Sequence, residues 1–231
     1  MDTPGTLPAV EVETGPHPTH AVIWLHGLGA DGHDFEPVVA EFEATRLPPT
    51  RFVFPHAPLR PITINGGYVM RSWYDIVSLD FTQRREDPRG VHDSARQVEA
   101  LIARERARGI AERHIVLAGF SQGGAIALHT GLRHRARLAG ILALSTYLPL
   151  AETVASEAHP ANRGVPIFMA HGEHDAVIPY QFGERSGAYL RSLGYPVAWH
   201  AYRAEHTLCI DELRDIEGWL ATTLAADAAP T

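Results

Sequence analysis

Residues 114–133 read HIVLAGFSQGGAIALHTGLR, an apolar run that passes through Gly119-Phe120-Ser121-Gln122-Gly123 directly into a helical pattern. Apolar residues without alternation mark a strand buried on both faces. A strand that turns at once into a helix, with glycine on either side of a serine, holds that serine in a strained bend at the end of a sheet. The remainder of the chain repeats the alternation. Short apolar runs at 21–26 (AVIWLH), 51–54, 140–145 (GILALS), 166–171 (PIFMAH) and 197–202 (VAWHAY) predict further strands. Helical patterns at 35–44, 91–108, 122–133, 180–193 and 208–224 separate them. Strands alternating with helices imply right-handed βαβ crossovers, and so an α/β fold with a mostly parallel central sheet flanked by helices on both faces.

The 231 residues fit one domain of this kind, placed at 21–224, with an N-terminal segment at 1–20 and a frayed tail at 225–231. The connection at 55–90 breaks the rhythm. Asn65-Gly66 between Ile62/Ile64 and Tyr68/Met70 predicts a hairpin there, and a long connection in a compact domain is often functional. A formal net charge of −7 offers no footprint for nucleic acid. The Arg-rich stretch from Arg104 to Arg113 reads as a solvated helix face. The single cysteine, Cys209, allows no internal disulfide, which suits a reducing compartment. No signal peptide is legible in residues 1–18, and no apolar stretch approaches the ~20 residues that span a bilayer. The expectation is a cytoplasmic protein without stable membrane insertion.

A serine hydroxyl is a weak nucleophile until a base takes its proton. In sheets with this turn the partners follow in the order Ser, Asp or Glu, His. The run PIFMAH leads into Gly172-Glu173-His174-Asp175, which puts Asp175 in a loop just past a strand's carboxyl end, where open α/β sheets place their sites. Glu173 is the nearest rival. A carboxylate there can accept an imidazole Nδ1–H and fix its tautomer. Of the 14 histidines, His171, His174 and His200 precede the last strand–loop junction, whereas His206 lies between the last strand and the last helix. His206 is therefore the candidate base. The glycine-rich loop His26-Gly27-Leu28-Gly29 closes the first strand, and the backbone N–H groups of Leu28 and Gln122 are the candidate oxyanion donors. The plainer alternatives are a helix cap at Ser121 and an ordinary turn at the glycine loop. Neither loop carries a P-loop or dinucleotide spacing, and no H-E-x-x-H occurs, so neither cofactor nor metal is expected.

Taken together, HGLGADG, SWYD, GFSQGG, LSTYLP, HGEHDAVIP and a late histidine before an apolar helix resemble the phospholipase/carboxylesterase family of α/β-hydrolases, in order from about Ala21 to Leu220. That family includes bacterial carboxylesterases and acyl-protein thioesterases, and TINGGYVMRSWYD at 63–75 is more similar to the former. The resemblance implies hydrolysis of carboxylic esters without a cofactor, with Ser121, Asp175 and His206 as triad and Leu28 and Gln122 as oxyanion donors. It also implies that Trp73 and Tyr147 lie near the substrate. Val177 and Leu208 are further candidates for the walls of an apolar pocket, with ordinary packing as the alternative for all four. One departure is Glu205, where the family usually has glycine before the histidine.

The expected function is a serine carboxylesterase acting on small-molecule esters of short to medium acyl chains through an acyl-enzyme. The alternative is an acyl-protein thioesterase or lysophospholipase acting on long chains. A peptidase of the same fold lacks any added domain to support it, and a non-catalytic module would be expected to have lost a triad member. A homodimer is left open, since no interface is legible in one sequence.

Overall fold

Apolar runs become strands here because both of their faces are covered. The computed structural model describes residues 6–43, 46–78 and 86–225. Its main sheet holds β1 (Ala9–Glu13), β2 (His20–Leu25), β3 (Thr50–Pro55), β6 (Ile115–Phe120), β7 (Gly140–Leu144), β8 (Ile167–Gly172) and β9 (Val197–Tyr202). The spatial order is β1-β3-β2-β6-β7-β8-β9. β1 runs antiparallel to β3, and every other pair is parallel. Side chains alternate between two cores, as the two-residue period of a strand requires. Ala21, Ile23 and Leu25 of β2 face a core shared with α2 (Pro88–Ala107), α3 (Gln122–Arg133), α4 (Ala151–Glu157) and α5 (Tyr180–Ser192). Val22 and Trp24 face the opposite core, shared with α1 (Val38–Glu41) and α6 (Ile210–Ala225).

The structure departs from the sequence pattern in several places, among them α4, for which no helix is expected. β1 precedes the first strand expected at 21–26. Its AVEVE alternation turns Val10 and Val12 toward the second core and leaves Glu11 and Glu13 outward. The helix expected at 35–44 shrinks to α1, preceded by i→i+3 turns from Phe35, Glu36 and Pro37. Glu36 precedes Pro37 and is thereby disfavoured in the helical region, and Ala44 lies outside the described residues. The hairpin is present as β4 (Leu59–Ile62) and β5 (Tyr68–Arg71), but a 3-10 turn at Thr63–Asn65 followed by Gly66 and Gly67 joins them instead of a two-residue turn. The Arg-rich face of α2 is not wholly solvated. Arg104 and Glu105 are buried, and Glu105 accepts hydrogen bonds from Arg51 (2.8 Å), Arg104 (3.2 Å) and Arg108 (3.2 Å). Arg108 also binds Glu11 of β1, so this network ties the edge strand to the helix. The tail extends α6 to Ala225, and residues 226–231 lie outside the described residues.

At the start of α6 the Cys209 carbonyl accepts from Leu213 N, and the Glu212 carboxyl takes the Cys209 N–H in return, in the manner of a capping box. Glu212 is 1% exposed. Burial raises its pKa from 4.5 to about 8, against the opposing pull of the Cys209 amide. The unfolded chain ionises this carboxyl near its ordinary value, so between the two values it releases a proton that the folded chain retains. Folding stability therefore falls as pH rises through this window. Glu212→Gln is expected to match the wild type in urea unfolding at pH 4 and to exceed it by a few kcal/mol at pH 8. Parallel unfolding curves at both pH values would remove the buried acid from the account.

Candidate active site

Ser121 sits between the end of β6 and the first turn of α3 with φ 54° and ψ −120°, a conformation that non-glycine residues seldom adopt. Its flanking glycines are required by close approach. A Cβ on Gly119 would lie 2.4 Å from the Gly123 carbonyl, and one on Gly123 would lie 2.3 Å from the Leu25 carbonyl oxygen of β2. The bend is held by Ser121 N–H to the Leu144 carbonyl (2.8 Å) and by the Thr146 hydroxyl on the Ser121 carbonyl (2.6 Å).

Three loops at the carboxyl ends of β6, β8 and β9 bring the predicted residues together. Ser121 Oγ lies 3.0 Å from His206 Nε2, and His206 Nδ1 lies 2.6 Å from Asp175 Oδ2. The second carboxylate oxygen of Asp175 accepts the amides of Val177 and Ile178, each at 2.8 Å. Burial alone would raise the Asp175 pKa. Hydrogen bonds from His171, His206 and the Ile178 amide outweigh it and hold the carboxyl well below the usual range. Asp175 thus stays ionised and fixes the His206 tautomer with the proton on Nδ1. Phe120 packs against the His206 ring at 4.7 Å between centroids. Glu173, the rival carboxylate, is exposed.

The loop after β2 is built on His26. Its Nδ1–H donates to the Gly27 carbonyl (2.7 Å) and its Nε2 accepts the Ala57 amide (3.1 Å). Burial lowers its pKa to about 4, so the ring is neutral at pH 7 and both bonds hold. Leu28 then borders the same cavity as Ser121 and Gln122, and among the described residues neither the Leu28 nor the Gln122 amide meets an acceptor. The cavity has a volume of about 210 Å³. Apolar side chains of Leu28, Ile64, Tyr74, Ile76, Val77, Tyr147, Val177 and Ile178 make most of its wall.

A phospholipase/carboxylesterase family model matches residues 7–224 of this sequence. The chain belongs to the phospholipase/carboxylesterase family. It is an ester hydrolase of the serine type. Acyl-protein thioesterase 1 of Gibberella zeae is 40% identical over 89% of this chain and 91% of its own. The acyl-protein thioesterase 1 of Neurospora crassa is 41% identical over 89% and 87%. Among solved structures, SOBER1 of Arabidopsis thaliana superposes with a TM-score of 0.84 at 31% identity, covering 89% of this chain and 99% of its own.

Within this hydrolase two expected pocket residues lie elsewhere. Trp73 is fully buried beneath the cavity, where its indole N–H donates to the His26 carbonyl (2.9 Å) and its ring packs against His26. Its neighbour Tyr74, on the other side of the chain, is the residue that borders the cavity and meets Tyr147 hydroxyl to hydroxyl. Leu208 packs into the α1/α6 core and takes no part in the cavity wall. Tyr147 and Val177 do border it. Glu205 is exposed and has no left-handed φ, so its position makes no backbone demand for glycine.

The Gln122 side chain has a second task that its motif position does not announce. Its Oε1 accepts Trp73 N–H (2.8 Å) and the Ser72 hydroxyl (3.1 Å), and its Nε2 donates to the Tyr74 carbonyl (2.6 Å). It thereby clamps the cavity wall to the nucleophile's own helix. Gln122→Ala keeps the backbone N–H but orphans the buried Trp73 amide, at about 1–3 kcal/mol, and leaves the Tyr74 carbonyl to the Ser72 hydroxyl alone. The variant is expected to unfold at lower urea concentration and to lose kcat/KM. A variant as stable as the wild type would mean that residues 72–74 hold themselves in place.

Proposed function

We propose that this hydrolase cleaves esters and thioesters of long acyl chains through an acyl-enzyme on Ser121, in the manner of an acyl-protein thioesterase or lysophospholipase. The continuous relay from Ser121 Oγ through His206 to Asp175, at 3.0 Å and 2.6 Å, carries the reading. Ser121 donates its proton to His206 Nε2 as Oγ attacks the acyl carbon, and the Asp175 carboxylate stabilises the imidazolium. The oxyanion forms against the Leu28 and Gln122 amides at the positive end of α3. His206 then protonates the leaving oxygen or sulfur. Water, deprotonated by the same imidazole, releases the acid. Cys209, with no disulfide partner, suits a reducing compartment such as the cytoplasm.

Chain length favours this reading over a short-chain carboxylesterase for two reasons. The thioesterases at 40–41% identity are the relatives named above. Two apolar residues of the cavity wall, Val77 and Val177, also remain 38% and 49% exposed, which offers a longer acyl chain apolar contacts outside the cavity. The carboxylesterase reading keeps one supporting observation, a cavity of about 210 Å³, below the ~300–1,000 Å³ typical of ligand pockets.

Hydrolysis of p-nitrophenyl esters from acetate to palmitate, beside palmitoyl thioesters, separates the two readings. kcat/KM is expected to rise toward the longer chains and to include the thioester. A maximum at acetate or butyrate with no thioester turnover returns the protein to the short-chain carboxylesterases. Ser121→Ala is expected to lose roughly 10⁴-fold or more in kcat on every substrate.

A further inference from the structure

Asp175 has a donor beyond those a triad needs. His171 ends β8, four residues before the carboxylate, and is fully buried. Its Nε2 lies 2.8 Å from the Ile178 carbonyl and 3.3 Å from Asp175 Oδ2. A carbonyl and a carboxylate can only accept, so this nitrogen carries the hydrogen and shares it between them. We propose that His171 is a positioning residue of the active site, pinning Asp175 Oδ2 and the far end of the Asp175–Ile178 loop with one N–H so that the carboxylate stays in line with His206. The proposal rests on the triad reading given above.

The loop is closed from both sides. Ile178 N–H donates to Asp175 Oδ1 at 2.8 Å, while its carbonyl accepts from His171. Ile178 also borders the acyl cavity, so the same imidazole registers the orienting carboxylate against the substrate wall. The ring itself has little freedom. Trp199 and Tyr180 flank it at 6.4 Å and 6.1 Å between centroids, and the Trp199 indole N–H reaches the Tyr180 hydroxyl at 3.3 Å. Behind it stands Gly183 of α5, where a Cβ would come within 2.3 Å of His171 Nδ1. That nitrogen has no hydrogen-bond partner among the described residues. A leucine would fill the same space without burying an unpaired nitrogen. What the imidazole adds over leucine is the donor at Nε2. The charged and titratable groups facing the ring are Asp175 and Tyr180.

The test compares His171→Leu and His171→Gln in the full chain. Leucine removes the donor, while glutamine carries an amide N–H that reaches the position of Nε2. Loss of a hydrogen bond to a charged group predicts a fall in kcat of roughly 10- to 100-fold for His171→Leu, with KM little changed. The downfield proton resonance of the His206–Asp175 hydrogen bond is expected to shift or broaden away in the same variant. Glutamine is expected to restore both. Wild-type kcat in His171→Leu overturns the proposal, as does an equal loss in both variants with the resonance unmoved, since a role in packing alone predicts that pattern. If His171→Leu fails to fold, His171→Asn, polar but too short to reach the Ile178 carbonyl, replaces it in the comparison with glutamine. Ser121→Ala run alongside keeps the two claims apart. Its inactivity with a fully active His171→Leu sinks only the positioning role, whereas activity retained in Ser121→Ala sinks the triad reading and this proposal with it.

Discussion

No side chain fits between the carboxyl end of β2 and the first turn of α3, and the geometry of the site depends on that contact. The Gly123 Cα lies against the Leu25 and His26 carbonyls so closely that a methyl group would clash with both. Because the helix starts this near the sheet, the chain has only Ser121 in which to turn, and Ser121 takes a left-handed φ of 54°. Such a residue costs on the order of 1–3 kcal/mol and persists only where its surroundings over-determine it. Here they do: strand β7 takes its N–H, Thr146 takes its carbonyl, and the Ala125 amide bonds the same carbonyl from the helix side. The strain directs Oγ away from the core, toward the loops that follow β8 and β9.

The same contact explains why the pocket and the nucleophile form one unit. Gln122 cannot move without moving the elbow, and its side-chain amide holds residues 72–74 by three hydrogen bonds. Asp75 continues the chain of constraints by accepting the Thr63 amide (2.8 Å) and hydroxyl (2.5 Å), which fixes the turn that joins β4 to β5. Trp73 reaches back to the His26 carbonyl, and His26 shapes the Leu28 loop. A segment that looks like a long connection in sequence is therefore a wall, held to the sheet from below by Trp73 and to the helix by Gln122.

This arrangement also marks where the sequence was legible. The parallel strands were plain, because burial on both faces leaves an unbroken apolar run. The triad positions followed from chain order and loop placement, and the structure brings Ser121, Asp175 and His206 within hydrogen-bond reach. β1 is harder to read, although AVEVE carries a clear two-residue period. Its glutamates suggest a solvated segment until Arg51, Arg104 and Arg108 are seen to face them. That Trp73 turns to His26 rather than into the cavity wall is not legible in its motif, because a motif gives proximity to a site but not direction. Trp73 and Tyr74 stand together in a bend after β5, and there Tyr74 meets the cavity while Trp73 meets His26. The direction of Leu208 is hidden for a related reason, since nothing in the loop before α6 tells which face of the sheet its side chain will cover.

Direction also separates the histidines. His26, His171 and His206 each close the carboxyl end of a strand or follow one, and no local pattern ranks them. Their surroundings do. His26 is held neutral between a carbonyl and an amide, both of them backbone, so it can shape a loop but has no free nitrogen to offer a substrate. His171 gives its one donor to the Asp175 loop and turns its other nitrogen toward a helix that approaches through glycine. Only His206 has one nitrogen on a carboxylate and the other on a hydroxyl that itself faces the cavity. Proton transfer requires that asymmetry, with an anion on one side to stabilise the imidazolium and an exchangeable proton on the other. It arises from three loops meeting in space, which is why spacing along the chain suggests His206 but only the assembled sheet distinguishes it from the other two.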